Sequence, residues 1–124
     1  MKIETILAVG FGGFIGAISR FYLSGSINNN FQLYSISLGT LFVNILGSFL
    51  IGVLFGYIQS YQIPIYIKTF LITGILGALT TFSTFAYETF TLLESGEIEK
   101  AFLNIILNIL GTLLMVYFGM KIFS

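Results

Sequence analysis

Residues 21–67 carry no charged side chain, and neither do residues 69–87 or 101–120. Uninterrupted runs of this kind belong in hydrocarbon, because a membrane-spanning helix takes about 20 consecutive, mostly apolar residues. A chain of 124 residues cannot wrap a solvated shell around so much apolar sequence. Only 8% of its residues are charged, where an average soluble domain has about 25%.

The few charges and the turn-forming residues mark the ends of the runs. They predict an all-α membrane protein, a single transmembrane domain over residues 1–124, with four spans near residues 3–23, 34–58, 65–93 and 101–122. Gly25 and Asn28, Asn29 and Asn30 predict a turn over residues 24–33. A polar connector ends at Pro64, the sole proline, and Gly96 among acidic residues predicts the last turn. The first run is too long for a signal-peptide core, and Arg20 sits where a cleavage site would need small residues, so a retained span is expected. The four spans consume nearly the whole chain and leave no room for a soluble domain.

Composition removes most chemistry. Five basic and five acidic residues cancel, which leaves no basic face for nucleic acid. Cysteine and histidine are both absent. Thiolate metal sites, cysteine nucleophiles and the usual near-neutral acid–base residue go with them. No Ser–Lys pair stands at helical spacing in mid-membrane, so hydrolase chemistry has no activated nucleophile and the chain is not expected to be an enzyme.

Four spans put Lys2, Lys68 and Lys121 on one side and Arg20 and Lys100 on the other. Such a small difference gives almost no orientation signal. It is what a charge-poor protein shows by chance, and also what a dual-topology protein needs. Four helices could hardly wall a polar pathway alone, which favours an oligomer, and antiparallel pairing is one way to build it.

The spans are not uniformly apolar. Gly12 and Gly16, and Gly13 and Ala17, form small-xxx-small pairs that let helix backbones approach. Thr40, Asn44, Ser48, Gly52 and Gly56 follow at four-residue intervals, a slowly drifting stripe on one face. Asn44 serves either as an interhelical hydrogen bond or as a donor along a hydrated path. Asn104, Asn108 and Thr112 repeat the same spacing in the last span, a pattern that suits a hydrated track of uncharged donors for an anion. In span three, Gly77 and the hydroxyl-rich run that follows it predict a break near residues 77–80. Beyond it, Phe82 and Phe85 share a helical face. Such a pair either packs against lipid and core or turns its electropositive ring edges toward an anion. Arg20 either snorkels to headgroups or draws anions into a vestibule. Glu88, one turn past the phenylalanines, either bonds across an interface or lines a mouth.

Three segments together carry a family resemblance. Gly12-Gly13-Phe14-Ile15-Gly16-Ala17-Ile18-Ser19-Arg20, Gly39-Thr40-Leu41-Phe42-Val43-Asn44-Ile45-Leu46-Gly47-Ser48-Phe49 and Gly74-Ile75-Leu76-Gly77-Ala78-Leu79-Thr80-Thr81-Phe82-Ser83-Thr84-Phe85 closely resemble the Fluc/CrcB fluoride channels. The fourth span matches by pattern only. The resemblance implies an antiparallel, dual-topology homodimer in a microbial inner (plasma) membrane, with two pores that export fluoride passively and confer fluoride resistance. It implies that Phe82 and Phe85 are anion-contacting rings, with Asn44 near them and the hydroxyls of Ser83 and Thr84 close to the pore. It places Arg20 at a vestibule. It implies a structural sodium ion at the dimer interface, held by backbone carbonyls at Gly77 and Thr80. Relatives usually carry Ser, Thr or Tyr along span four, so Asn104 and Asn108 depart from the pattern.

Two other readings compete. A small dual-topology multidrug/proton antiporter would need a carboxylate deep in a span, and the only carboxylate in that region is Glu88, late in span three. A non-conducting membrane assembly subunit would use the glycines but leave the polar stripes and the phenylalanine pair without a role.

Overall fold

The computed structural model describes residues 1–31 and 35–124. Every regular element among them is helical. Helix α1 runs Ile3–Asn30 and α2 runs Leu38–Ser60. The third pass is composite: α3 (Ile65–Lys68), a wider π-helical segment (Thr69–Leu76), α4 (Gly77–Leu79) and α5 (Phe82–Glu94). Helix α6 runs Ile98–Lys121. Among the described residues, four passes are long and apolar enough to cross a membrane, with residues 65–94 counted as one.

The first pass is longer than its composition suggests. The expected turn over residues 24–33 is helical through Asn30, so Arg20 lies well inside α1 rather than at its end. The polar side chains there do not break the helix because they bond back to it. Ser24 Oγ donates to the Arg20 carbonyl at 2.6 Å, and Asn30 Nδ2 donates to the Ser26 carbonyl at 2.7 Å. Asn28 reaches forward instead. Its Oδ1 accepts from the Gly39 N–H at 2.8 Å and from Ser37 Oγ at 3.1 Å, which caps the start of α2. The expected start of span two, at Tyr34, falls outside the described residues, as does the end of the turn at Leu33.

The last turn follows its sequence. Gly96 adopts φ +78°, a left-handed conformation that favours glycine. Its N–H bonds the Leu93 carbonyl at 3.1 Å, while the Glu97 N–H bonds the Leu92 carbonyl at 2.9 Å. That pair of bonds closes α5 by satisfying carbonyls the helix would leave bare.

Glycines set which helices touch. A Cβ on Gly12 would strike the Phe70 carbonyl and the Gly74 backbone; one on Gly16 would strike the Ile75 carbonyl. These two therefore seat α1 on the π-helical segment. Gly52 and Gly119 do the same between α2 and α6, facing the Val116 and Phe49 carbonyls. In lipid no hydrophobic drive pushes helices together, so close backbone approach supplies the attraction. The centre is small: Val43, Leu76 and Leu79 are buried, with Ile51, Leu54 and Ile75 packed against them. Large apolar side chains such as Phe11, Phe14 and Phe21 stand exposed, which suits hydrocarbon surroundings.

Gly10 has open space where a Cβ would go, whereas Gly12 has none. Gly12→Ala should lower stability in detergent by about 1–3 kcal/mol, and Gly10→Ala should stay within about 0.5 kcal/mol of wild type. Denaturant unfolding of the two variants checks the contrast.

Candidate functional site

Between α4 and α5 the chain leaves the helix for two residues. Thr80 is extended at φ −85°, ψ 154°, and Thr81 at φ −148°, ψ 115°. Gly77, the first residue of the break expected near residues 77–80, is itself helical at φ −63°, ψ −33°. The departure comes later because Leu76 still accepts the Thr80 N–H at 3.1 Å and Thr80 Oγ1 at 3.0 Å, which carries the helix one turn past the glycine. In a continuous helix the Thr81 N–H would bond the Gly77 carbonyl. Here it bonds Asn44 Oδ1 at 2.8 Å instead.

Asn44 is the hub of the site. Its Nδ2 returns a bond to the Thr81 carbonyl at 3.2 Å, so one side-chain amide pairs with both backbone groups of Thr81. The same Nδ2 donates to Asn108 Oδ1 at 3.0 Å. Both amide hydrogens are thus committed, and Asn44 is 8% exposed. A backbone group left unpaired away from water costs several kcal/mol, so this pairing is what lets an unwound stretch sit among apolar helices.

Thr81 then starts α5. Its Oγ1 accepts the Thr84 N–H at 3.2 Å, an N-cap bond, and donates to Thr84 Oγ1 at 3.0 Å with Ser83 Oγ 3.3 Å away. The cap orients the first turn, which carries Phe82 and Phe85. Their centroids lie 5.4 Å apart with the planes at 64°, an edge-to-face pair. Phe85 is buried at 6% exposure, and Phe82 stands out at 76%.

Beside this pair lies a groove of about 410 Å³, lined by Asn44, Thr80, Thr81, Phe82, Phe85 and Thr112 among others, with Gly77 and Asn108 also on its wall. Its lining is mostly apolar, with a few converging polar groups. A second cleft of about 350 Å³ opens on the other side of Thr81, with Arg20, Ser24, Thr40 and Thr84 around it. The site residues named from sequence therefore divide. Phe82, Phe85, Asn44, Asn108, Thr112, Gly77 and Thr80 share the groove; Arg20 and Thr84 share the cleft; Ser83 lines neither, and Thr81, which was not among them, borders both.

Asn104 lines neither. It is 1% exposed and donates through Nδ2 to Thr89 Oγ1 at 3.0 Å. Asn108, 4% exposed, donates to the Asn104 Oδ1 at 3.1 Å and to its carbonyl at 3.0 Å. Thr112 Oγ1 is turned onto its own helix, donating to the Asn108 carbonyl at 2.6 Å. In one chain these amides are packed and paired rather than open to water. Glu88 is half-buried and accepts from Thr40 Oγ1 at 2.6 Å, near the start of α2. Its second oxygen has no partner among the described residues.

Two residues that organise the site were not singled out by sequence. Thr81 had a readable signal: a hydroxyl residue opening a helix three positions before Thr84 is an N-cap pattern. Thr89 had none, because its partner is on another pass.

Residues 7–120 match the family model described as "CrcB-like protein, Camphor Resistance (CrcB)". The chain belongs to the CrcB family. A Campylobacter jejuni relative named "Fluoride-specific ion channel FluC" is 54% identical over 122 residues, covering 98% of this chain and 99% of the relative. Relatives with the same name in Sulfurimonas denitrificans and Methanocaldococcus jannaschii are 51% and 50% identical, covering 93% and 94% of this chain and 89% and 92% of theirs. With four membrane-crossing passes, this CrcB-family chain is a multi-pass membrane protein.

If Asn44 holds the unwound stretch, Asn44→Leu should leave the Thr81 N–H and carbonyl unpaired. The expected cost is about 1–3 kcal/mol for each group left unpaired, seen as a lower denaturation midpoint in detergent.

Proposed function

We propose that the chain is a fluoride-selective channel that releases cytoplasmic fluoride down its electrochemical gradient. The observation that carries the reading is the Phe82–Phe85 pair, held edge-to-face at 5.4 Å beside a groove with polar groups from three passes. Ring edges carry the positive end of the aromatic quadrupole, and rings fixed edge-on offer an anion contact without a countercharge that would trap it. The relatives' printed name supports the same ion. A channel suffices physically. Hydrogen fluoride enters neutral and dissociates inside, and a membrane potential negative inside then drives the anion out.

The functional unit is an antiparallel homodimer in the inner (plasma) membrane of a microbe, both orientations coming from one sequence. The third pass acts as a broken helix, its interruption facing the partner. The near-even split of basic residues fits dual insertion.

The residues at the interruption also fit a structural sodium ion. Hard cations take oxygen ligands, and the Gly77 carbonyl has lost the Thr81 N–H to Asn44. Gly77 is exposed and Thr80 partly so, which leaves both near a surface a second copy would meet. Their carbonyls would hold the ion, and its bound charge would brace the two interruptions against each other. Arg20 in the neighbouring cleft would attract anions toward Thr84 and Thr81, with Ser83 beside them. Thr112, Asn108 and Asn44 would wall the groove beyond the rings, and Asn104 would stand behind them.

Fluoride efflux from liposomes containing the purified protein, read with a fluoride electrode, tests the reading. Efflux that follows the membrane potential and excludes chloride supports it. Efflux that instead requires a proton gradient would favour an antiporter, and none at all would favour an assembly subunit. Phe82→Ala and Phe85→Ala should each lower the flux about tenfold while the protein stays assembled.

Lysines at exposed Asn29 and Asn30 should force one orientation, and lysines at Gln59 and Gln62 the other. Each biased variant alone should lose fluoride resistance, and coexpression should restore it. Normal conduction by a fully single-orientation variant would end the antiparallel reading.

A further inference from the structure

The amides behind the groove form one continuous chain. The Thr81 N–H donates to Asn44 Oδ1 at 2.8 Å. Asn44 Nδ2 donates to Asn108 Oδ1 at 3.0 Å, and Asn108 Nδ2 to Asn104 Oδ1 at 3.1 Å. Asn104 Nδ2 donates to Thr89 Oγ1 at 3.0 Å. Thr89 Oγ1 then donates to the Phe85 carbonyl at 2.8 Å. Every donor points the same way along the chain.

Its two ends fall on one turn of backbone. It leaves from the Thr81 N–H, crosses α2 and α6, and returns to the Phe85 carbonyl on α5. Between those ends lie Phe82 and Phe85 themselves. We propose that Thr89 is a positioning residue for the phenylalanine pair: it closes a one-way hydrogen-bond chain from Thr81 through Asn44, Asn108 and Asn104 to the Phe85 carbonyl, locking the turn that aims the rings.

The chemistry makes the last link decisive. Thr89 has one hydroxyl proton and gives it to Phe85, which leaves its oxygen as the acceptor for Asn104. The alternative orientation of Asn104 would set Nδ2 against Asn108 Nδ2 and Oδ1 against an oxygen whose proton is already committed. The amides therefore cannot reorient singly. All four side chains are at most 8% exposed, so no bulk water replaces a lost partner. Linked donors polarise one another, and losing one end weakens the others.

The proposal rests on the channel reading only for its flux readout, so a second readout is independent of conduction. Thr89→Val keeps the shape and removes the hydroxyl; Thr89→Ser keeps the hydroxyl. In lipid, Thr89→Val should lower fluoride flux about tenfold and speed hydrogen exchange at the Thr81 amide, although Thr81 lies at the far end of the chain. Thr89→Ser should restore both. A purely local role would leave Thr81 exchange untouched. If Thr89→Val fails to assemble, Thr89→Ala is measured in the same two ways. An assembled variant with wild-type flux and wild-type Thr81 exchange overturns the proposal. Faster Thr81 exchange in Thr89→Val, together with no fluoride conduction by the wild-type protein, would instead sink the channel reading and leave the positioning role standing.

Discussion

The pairing of the Asn44 amide with the Thr81 backbone is the interaction on which the site depends. The third pass must leave the helix at Thr80 and Thr81 for α5 to start afresh with the phenylalanines on its first turn. Unpaired peptide groups at that depth are costly. Asn44 offers one acceptor and two donors in a rigid plane: the acceptor and one donor match what a neighbouring peptide would offer, and the second donor is left over. It takes the Thr81 N–H, returns a bond to the Thr81 carbonyl, and still reaches Asn108. A threonine or serine in its place could not span both backbone groups at once.

That pairing needs α2 close to the third pass and α6 close to α2, and glycines provide the approach. Gly47 faces Thr80 so closely that a Cβ there would collide with Thr80 Cγ2. Gly52 and Gly119 bring α6 onto α2, which sets Asn108 within reach of Asn44. On the far side Gly12 and Gly16 seat α1 against the π-helical segment that leads into the interruption. The close contacts and the buried amides act together: the first position the helices, and the second fix their register.

Much of this was legible in the sequence. Charge-free runs gave four passes because hydrocarbon tolerates little else, and Gly96 gave the last turn because its left-handed backbone favours glycine. The Gly12 and Gly16 contacts followed from spacing. What failed was local polarity as a guide to turns. Ser24 and Asn30 bond back to their own helix, so α1 continues through a stretch that reads as a loop, and Asn28 caps the next helix from inside its own. Gly77 and the hydroxyl-rich run after it predict a break near residues 77–80; Gly77 has the dihedrals of a helix, and the extended residues are Thr80, at the end of that range, and Thr81 just beyond it. The stripe of Asn104 and Asn108 was visible, but its partner Thr89 was not, since nothing in spacing links two passes. Composition identifies donors; only packing shows where their hydrogens go.

The central claim is that Asn44 is bound to Thr81 and Asn108 in the bilayer rather than hydrated. Solid-state NMR of asparagine- and threonine-labelled protein in lipid measures this directly. The account predicts cross-peaks from the Asn44 side-chain amide to the Thr81 carbonyl and to the Asn108 side chain, with slow exchange of the Thr81 N–H. An Asn44 amide that exchanges rapidly with water and shows no contact to Thr81 would contradict it.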